Sequence, residues 1–331
     1  MLNPKMHLND VLDPEIHQAP IKTGFGDGLL EAGNKDSTIV ALSADLVAST
    51  KMDVFAKAYP DRYIEIGVAE QNLVTVAAGM ALAGKTPFVS SYAAFSPGRN
   101  WEQIRTTICL NKTNVKIVGS HAGVSVGPDG ATHQMLEDIA LMRVLPDMIV
   151  VVPADSEEAR KATLAIASLK GAAYLRLARE KSPIVTTKKT PFAIGKANVL
   201  REGSDLTIVA CGQMVYQSLV AAEKLAADGI DVEVINAAVI KPLDTITITT
   251  SARKTKAVLT IEEGQIAGGL GGAVAETLAD HFPVPMTRMG IRDRFGESGE
   301  PNQLLAHFEL TSPYIIANAK ELLKRKDSQN D

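Results

Sequence analysis

The sequence has few cysteines, no excess of basic side chains and no long apolar run. Its two cysteines, Cys109 and Cys211, lie far apart in apolar stretches, which predicts buried free thiols in a reducing compartment rather than a disulfide framework. Lysine and arginine number 34 against 38 aspartates and glutamates, so nothing indicates the basic face of a nucleic-acid-binding protein. No apolar run could span a bilayer, and no signal-peptide core follows the N-terminus. We therefore expect a cytoplasmic protein without nucleic-acid or membrane partners.

The chain is long enough for two domains. Its 331 residues are 46% hydrophobic, which is ample for packed cores. In the first half, β-favouring runs alternate with helical patterns, and this predicts an α/β fold with a doubly wound, mostly parallel sheet. We place the first domain at residues 1–182, a linker containing lysine and proline at 183–192, and a second, smaller α/β domain at 193–331. The polar residues 324–331 should fray.

One carboxylate lies at the junction of a predicted strand and a predicted helix. Residues 63–68 favour a strand, whereas residues 70–82 are rich in the small and unbranched side chains of a helix, which places Glu70 in the first helical turn. A carboxylate there can simply complement the helix dipole and cap free N–H groups. The loop after a parallel strand is also where α/β sheets bind ligands. Taken alone, Glu70 allows both interpretations.

Two other segments follow predicted strands. Asp45 and Ser49 come after the strand at residues 37–43, and Asp45 could be an ordinary turn residue. Tyr92 and Phe95 follow the strand that begins at Pro87. Two aromatic residues three apart are most often core packing, although a flat heterocycle would need such a flat apolar partner. Neither segment by itself distinguishes a structural role from a binding role.

The most specific segment runs from His121 to Gln134. Its glycines, Pro128 and Asp129 predict a loop that cannot form a long helix, and two of the six histidines, His121 and His133, lie near its ends. An imidazole can transfer protons near neutral pH, which suits catalysis. A single loop histidine is usually only a surface residue, but two in one glycine-rich loop favour a functional site.

These four segments resemble the corresponding elements of the transketolase family of thiamine diphosphate enzymes. Residues 240–274 likewise resemble that family's C-terminal domain, so residues 1–182 would form its pyrimidine-binding domain. The resemblance implies that Glu70 hydrogen-bonds N1′ of the cofactor's aminopyrimidine, an acid–base contact that activates the cofactor. By the same resemblance Phe95 stacks on the aminopyrimidine ring, Tyr92 lines the pocket and Asp45 lies close to the cofactor.

The resemblance also implies a set of substrate-binding residues: Ser49, His121, Asp129, His133 and Arg179. Of these, His121 and His133 would act with Glu70 in catalysis. Arg179 would hold the substrate phosphate, a task that fits a guanidinium fork, and Arg176 is its rival for that role. Transketolases commonly place a phosphate-binding arginine before the first helix. Here Lys22 stands in that neighbourhood, and we expect that it could substitute as a point charge.

The residues that bind the metal and the cofactor's diphosphate in this family are not expected in this chain. Gly26-Asp27-Gly28 resembles the start of the magnesium motif, but it lies inside a helical pattern and residues 52–58 contain no asparagine. We therefore predict that Asp27 is a solvated helix residue. The glycine-rich run at residues 268–272 lacks the full nucleotide-binding spacing and is assigned to close packing. Mg²⁺ and the diphosphate would be held by a separate N-terminal subunit, in an α2β2 heterotetramer.

The resemblance implies the C-terminal subunit of a split transketolase. Such an enzyme transfers a two-carbon ketol unit from a ketose phosphate to an aldose phosphate in pentose phosphate metabolism, and an unusual ketose stays possible. A 1-deoxyxylulose-5-phosphate synthase-like subunit and a 2-oxoacid dehydrogenase β-like subunit are alternatives within the same cofactor class. A noncatalytic scaffold that kept the fold is a third alternative. Glu70, Phe95, His121 and His133 argue against the scaffold because a scaffold has no use for them.

Overall fold

The computed structural model describes residues 1–328. In the first half, the strands and helices alternate as follows: β1 Gln18–Pro20, α1 Ile21–Lys35, β2 Ile39–Ser43, α2 Asp53–Ala58, β3 Tyr63–Glu65, α3 Glu70–Leu82, β4 Thr86–Tyr92, α4 Trp101–Gln103, which continues as a π-helix over Ile104–Cys109, β5 Lys116–Ser120, α5 Asp138–Arg143, β6 Ile149–Val151, α6 Ser156–Ser168, β7 Ala173–Arg176 and β8 Lys181–Pro183.

The second half contains the remaining elements: β9 Asn198–Arg201, β10 Leu206–Ala210, α7 Met214–Ala227, β11 Val232–Asn236, β12 Val239–Lys241, α8 Thr245–Thr255, β13 Val258–Gln265, α9 Leu270–His281, β14 Met286–Ile291, α10 Pro301–His307 and α11 Ser312–Asp327. None of the helices within residues 1–328 combines the length and the apolar character that crossing a bilayer requires.

The larger sheet has seven strands in the order β12-β6-β7-β5-β4-β2-β3. All neighbouring pairs are parallel except β12 with β6, so the predicted doubly wound, mostly parallel sheet is confirmed. Strand β2 shows why its sequence is a continuous apolar run. Val40 and Leu42 pack with α3 on one face, whereas Ile39 and Ala41 pack with α1 and α6 on the other. Both faces of the strand are therefore buried.

The smaller sheet has five strands in the order β14-β13-β10-β11-β9, with only β9 antiparallel to its neighbour among the described strands. One strand of the second half, β12, instead pairs with β6 of the first sheet. The hydrophobic core between the sheets includes Val150 and Val152 from the first half and Val209 and Ile235 from the second. The two halves are thus joined by a shared sheet and a shared core.

The segment predicted as a linker is bonded to the first half. Pro183, at its start, lies in β8, which pairs with β1. Lys161 of α6 donates hydrogen bonds to the carbonyl oxygens of Thr187 and Thr190. Thr186 is buried, and its N–H and hydroxyl both donate to Asp155. These bonds fix the segment along α6.

Three local predictions can be compared with the structure. Cys109 and Cys211 are buried free thiols, as predicted. The predicted fraying from residue 324 is wrong as far as Asp327, because α11 continues to that residue, and residues 329–331 lie outside the described part of the chain. The glycine-rich run does serve close packing, since a Cβ on Gly269 would lie 1.9 Å from a carboxylate oxygen of Glu262.

Candidate active site

Glu70 is the first residue of α3, as the sequence predicts. Strand β3 is shorter than predicted because the chain turns at Gly67, whose φ of +78° is a left-handed conformation that favours glycine. The side chain of Glu70 is only 2% exposed. Its Oε2 accepts a hydrogen bond from Nη1 of Arg99 at 2.6 Å, and Ser91 Oγ lies 3.3 Å from Oε1. The carboxylate therefore points into the protein and is not a solvated helix cap.

Arg99 is a site residue that sequence reasoning missed. Its side chain is 49% exposed, and its guanidinium carbon lies 4.7 Å above the centre of the Phe95 ring. The next residue, Asn100, donates from Nδ2 to the backbone oxygen of Glu70 at 2.8 Å. The signal that could have found Arg99 is chemical: a buried carboxylate needs a compensating charge, and Arg99 is the first cation after Phe95.

The structure brings together four rings that the sequence places in two separate segments. Tyr92 stacks on His121 with ring centres 3.9 Å apart and on Phe95 at 6.2 Å. The ring of His133 meets Phe95 edge-on at 5.3 Å. The carboxyl ends of β4 and β5 are neighbours in a parallel sheet, so residues that follow these strands meet at one edge. The result is a compact aromatic cluster, which Arg99 connects to Glu70.

His121 is more buried than His133, the other candidate histidine. It follows β5 with φ of +57°, and its Nδ1 lies 2.8 Å from the hydroxyl oxygen of Ser120. Burial, together with the positive charges of Lys22 and Arg179, lowers the pKa of His121 to about 3. The imidazole is therefore neutral at physiological pH. Nδ1 is engaged with Ser120, which leaves Nε2 as the nitrogen able to bond a ligand.

The loop from His121 to Gln134 is held by the second half of the chain. Glu263 Oε1 accepts a hydrogen bond from the N–H of Ser125 at 2.6 Å, and Gln213 donates to the other oxygen of Glu263. A Cβ on Gly123 would lie 2.3 Å from the Glu263 carboxylate, so this approach requires glycine. Sequence reasoning assigned the second half no part in the site. It missed this support because Glu263 is 138 residues away from Ser125.

Asp45 and the turn before Glu70 share one hydrogen-bond acceptor. Asp45 has φ of +59°, and its N–H donates to Glu65 Oε1 at 2.7 Å. The N–H of Gly67 donates to the same oxygen at 2.8 Å, and the Tyr63 hydroxyl donates to Oε2 at 2.5 Å. Burial alone would raise the pKa of Glu65, but these hydrogen bonds lower it below its usual value. Glu65 thus remains ionised and fixes both turns. Ser49, in the same loop as Asp45, is half-buried.

The two candidate arginines for an anion have different surroundings. Arg176 is buried in an ion pair with Asp138 at 2.9 Å and donates to the Glu263 carbonyl, so it belongs to the core. Arg179 is about one-third exposed, donates to the Val126 carbonyl and lies 3.6 Å from Asp129. Arg179 is therefore the one of the two that can reach a ligand.

Lys22 lies near Arg179 and Lys51. Burial and the positive charges of those two residues lower the pKa of Lys22 below its usual value. Such a shift is expected where cations converge around a site for an anion. Lys51, which sequence reasoning did not single out, has φ of +66° at the end of the loop that carries Asp45 and Ser49.

Two family models match the chain almost from end to end. Residues 17–184 match the transketolase pyrimidine-binding domain, and residues 195–315 match the transketolase C-terminal domain. The chain belongs to the transketolase family. Within that family, it is 43% identical over 310 residues to the putative transketolase C-terminal section of Methanocaldococcus jannaschii, covering 92% of this chain and 97% of that protein.

Two further transketolase relatives match this chain over nearly the full length of both proteins. The 6-deoxy-6-sulfo-D-fructose transketolase subunit SqwH of Clostridium sp. (strain MSTE9) is 41% identical over 320 residues, covering 97% of this chain and 99% of the relative. A solved structure described as a split gene transketolase, inactive beta4 tetramer, superposes with a TM-score of 0.87 at 45% identity and covers 93% of this chain and 99% of that one. The chain is thus similar to C-terminal transketolase subunits over nearly their full length.

The triplet that resembles the start of the transketolase magnesium motif lies within α1, Ile21–Lys35. Asp27 is exposed on α1, and within residues 1–328 no group of three or more His, Cys, Asp or Glu side chains could hold a metal ion.

Proposed function

We propose that this chain is the C-terminal subunit of a thiamine diphosphate-dependent transketolase that transfers a two-carbon ketol unit from a ketose phosphate to an aldose phosphate. The observation that carries this proposal is the carboxylate of Glu70, which is only 2% exposed and which Arg99 connects to the ring of Phe95 in the aromatic cluster. A noncatalytic scaffold would gain nothing from a buried carboxylate at this position, because burying a charge costs free energy.

The residues present fit the aminopyrimidine half of thiamine diphosphate. A buried carboxylate can accept a hydrogen bond from a ring N–H, and flat aromatic side chains suit a planar heterocycle. Glu70, Tyr92, Phe95 and Asp45 would hold this half. Thiamine diphosphate, when bound, supplies the carbon nucleophile and the electron sink for breaking and making a C–C bond. The role of Glu70 is to hold the proton at N1′.

His121 and His133 are proposed to handle substrate protons. The lowered pKa of His121 keeps its imidazole neutral, so its Nε2 can accept a hydrogen bond from a sugar hydroxyl or donate one, according to the tautomer. The ring of His133 meets Phe95 edge-on in the same cluster. The sugar would bind between these two imidazoles.

The anionic end of the sugar is proposed to bind Arg179 and Lys22, with Ser49 and Asp129 contacting the sugar. Two cations of different kinds converge here. A lysine is a point charge and does not impose the bidentate geometry of an arginine fork. We therefore propose that the site accepts a tetrahedral anion at the sugar terminus, with phosphate as the expected substituent. The relative from Clostridium is named for a sulfonated ketose, which makes that class a second donor to assay.

The rest of the cofactor site is proposed to lie on a partner. The chain matches only the pyrimidine-binding and C-terminal domain models, so the Mg²⁺ ligands and the diphosphate-binding residues are assigned to an N-terminal subunit. Two copies of each subunit would form an α2β2 heterotetramer in the cytoplasm, serving pentose phosphate metabolism. The structure of the similar chain, described as an inactive tetramer of one subunit type, supports this division.

The test is ketol transfer from xylulose 5-phosphate to ribose 5-phosphate with thiamine diphosphate and Mg²⁺. The chain is assayed alone and with its N-terminal partner. We expect activity only in the mixture, and a loss of about 10²- to 10⁴-fold in kcat for Glu70→Ala. The exposed Glu102→Ala on α4 is the matched control and should keep full activity.

Activity of the lone chain would contradict the assignment of half of the cofactor site to a partner. Activity with pyruvate in place of the ketose would instead favour the synthase-like alternative. A mixture that transfers ketol units equally well with Glu70→Ala would refute the catalytic assignment of this residue and favour the scaffold interpretation.

A further inference from the structure

Arg99 makes contacts with both groups on which the aminopyrimidine is expected to depend. Its Nη1 donates to Oε2 of Glu70 at 2.6 Å, and its guanidinium carbon lies over the ring of Phe95, 4.7 Å from the ring centre. Glu70 is almost fully buried, whereas Arg99 is half exposed. The arginine therefore reaches from solvent into the position between the carboxylate and the aromatic face.

A guanidinium suits this position for the same reasons as an aminopyrimidine. Both are planar, both present N–H donors, and both stack on an aromatic ring. In the cofactor-free chain, Glu70 needs such a partner because an unpaired buried carboxylate is strongly destabilising. Arg99 supplies the charge and the hydrogen bond, and at the same time it covers Phe95.

We propose that Arg99 is a placeholder for the aminopyrimidine ring, and that cofactor binding displaces its guanidinium from Glu70 and from Phe95. This inference rests on the proposed function. It adds that the aminopyrimidine ring replaces the guanidinium of Arg99 as the planar hydrogen-bond donor to Glu70. The affinity of the chain for the pyrimidine is therefore reduced by the free energy of removing Arg99, and Arg99 holds the site closed while no cofactor is bound.

The surroundings give the displaced side chain a place to go. An open cavity of about 530 Å³ lies between the start of α3 and the turn before α4 that carries Arg99. It is lined by Val68, Gln71, Thr75 and Gln103 as well as by Glu70 and Arg99 themselves. Because this cavity opens to solvent and is partly polar, a guanidinium that leaves Glu70 can be hydrated there without unfolding the site.

The test measures binding of the free aminopyrimidine, 4-amino-5-hydroxymethyl-2-methylpyrimidine, to the full chain. Calorimetry gives the Kd, and the fluorescence of Trp101, the only tryptophan of the sequence, gives a second signal two residues from Arg99. Arg99→Met removes the positive charge and the N–H donors of the guanidinium. We expect this variant to bind the probe roughly fivefold to thirtyfold more tightly than the wild type. The reason is that one half-exposed ion pair and one cation–π contact no longer have to be broken when the probe binds.

Arg105→Met is the matched control, since Arg105 is an exposed arginine six residues further along the chain, on the π-helix after α4, and lines a different cavity. It should leave the Kd unchanged. Arg99→Gln carries the same test if the methionine variant does not fold, because glutamine can still donate a neutral hydrogen bond to Glu70. It should also bind the probe more tightly than the wild type.

The proposal would be overturned if the folded Arg99 variants bound the probe no more tightly than the wild type. It would also be overturned if neither the wild type nor any Arg99 variant bound the probe. Either result is separable from failure of the proposed function. Ketol transfer by the reconstituted wild-type enzyme, with its dependence on Glu70, is measured independently and would stand if only Arg99 had been misassigned.

Discussion

The carboxylate of Glu263 accepts a hydrogen bond from the backbone N–H of Ser125 at 2.6 Å, so a residue of the second half fixes the loop between His121 and His133. Gln213, also from the second half, donates to the same carboxylate. Gly123 allows the close approach because it has no Cβ. The second half therefore contributes to the shape of this loop although none of its side chains belongs to the aromatic cluster.

Removal of this support should loosen the loop. Glu263→Ala leaves the buried N–H of Ser125 without its acceptor, which costs about 1–3 kcal/mol of stability. We expect the KM for the sugar substrate of the reconstituted enzyme to rise more than kcat falls, because the proposed role of the loop is to bind substrate. Glu263→Gln, which keeps one acceptor oxygen, should recover most of the loss. A Glu263→Ala enzyme with unchanged KM would show that the loop keeps its shape without this contact.

Glu65 should control cofactor affinity through the two turns that it joins. Glu65→Ala removes the shared acceptor of the Asp45 and Gly67 N–H groups, and we expect weaker binding of thiamine diphosphate to the reconstituted enzyme. Tyr63→Phe is the matched comparison, because it removes only the hydrogen bond to Oε2 of Glu65. This variant should make the free energy of cofactor binding less favourable by about 1 kcal/mol or less. The measurement is a cofactor titration. Equal affinities in both variants would mean that the turns are fixed by other contacts.

Two glycines near the start and the end of α3 should respond oppositely to alanine. A Cβ on Gly67 or on Gly79 meets no atom within 4 Å, so space is not the issue at either position. Gly67 has φ of +78°, and we expect Gly67→Ala to lower the free energy of unfolding by about 1–2 kcal/mol. Gly79 lies inside the helix, so Gly79→Ala should raise the free energy of unfolding by up to about 1 kcal/mol. Urea unfolding of both variants measures the difference, and the same sign for both would contradict this account.

His121 should make the protein less stable as the pH falls. Its folded pKa of about 3 lies below the ordinary value of 6.5, since burial, Lys22, Arg179 and His133 disfavour the charged imidazole. Between these values the unfolded chain binds the proton and the folded chain does not, so the contribution is fully present above pH 6.5 and is lost progressively as the pH falls toward 3. His121→Gln should therefore reduce the loss of stability between pH 7.5 and pH 5.

The control for this prediction is Gln303→Ala, which changes an exposed residue of α10 without a titratable side chain and should keep the wild-type profile. The difference between variant and wild type is the useful quantity, because other buried groups also titrate. Burial raises the pKa of Glu158 and of Glu262 to about 7, and these carboxyls lower stability as the pH rises. A His121→Gln profile that matches the wild type would contradict the assignment of a neutral, buried imidazole.

The sequence predicts those features that depend on neighbours along the chain. The helix from Glu70 to Leu82 is confirmed at both ends, because its side-chain composition and the preceding turn determine it locally. The strand predicted at residues 63–68 is too long because the left-handed turn at Gly67 ends it early.

The features that the sequence does not predict depend on distant partners. Arg99 lies 29 residues from Glu70, and Glu263 lies 138 residues from Ser125. Hydrophobic periodicity carries no signal for such pairs. The pairing of β12 with β6 was missed for the same reason, since strand propensity does not specify which sheet a strand joins.

That crossing strand also bears on how such a protein can be divided. Because β12 comes from the second half and covers the edge of β6, a cut between the halves would leave β6 with a row of unpaired backbone groups open to other chains. A gene fission that keeps both products soluble must therefore fall outside the stretch from β6 to β12. An exchange of halves between two relatives would keep this strand pairing intact only if both halves came from the same parent.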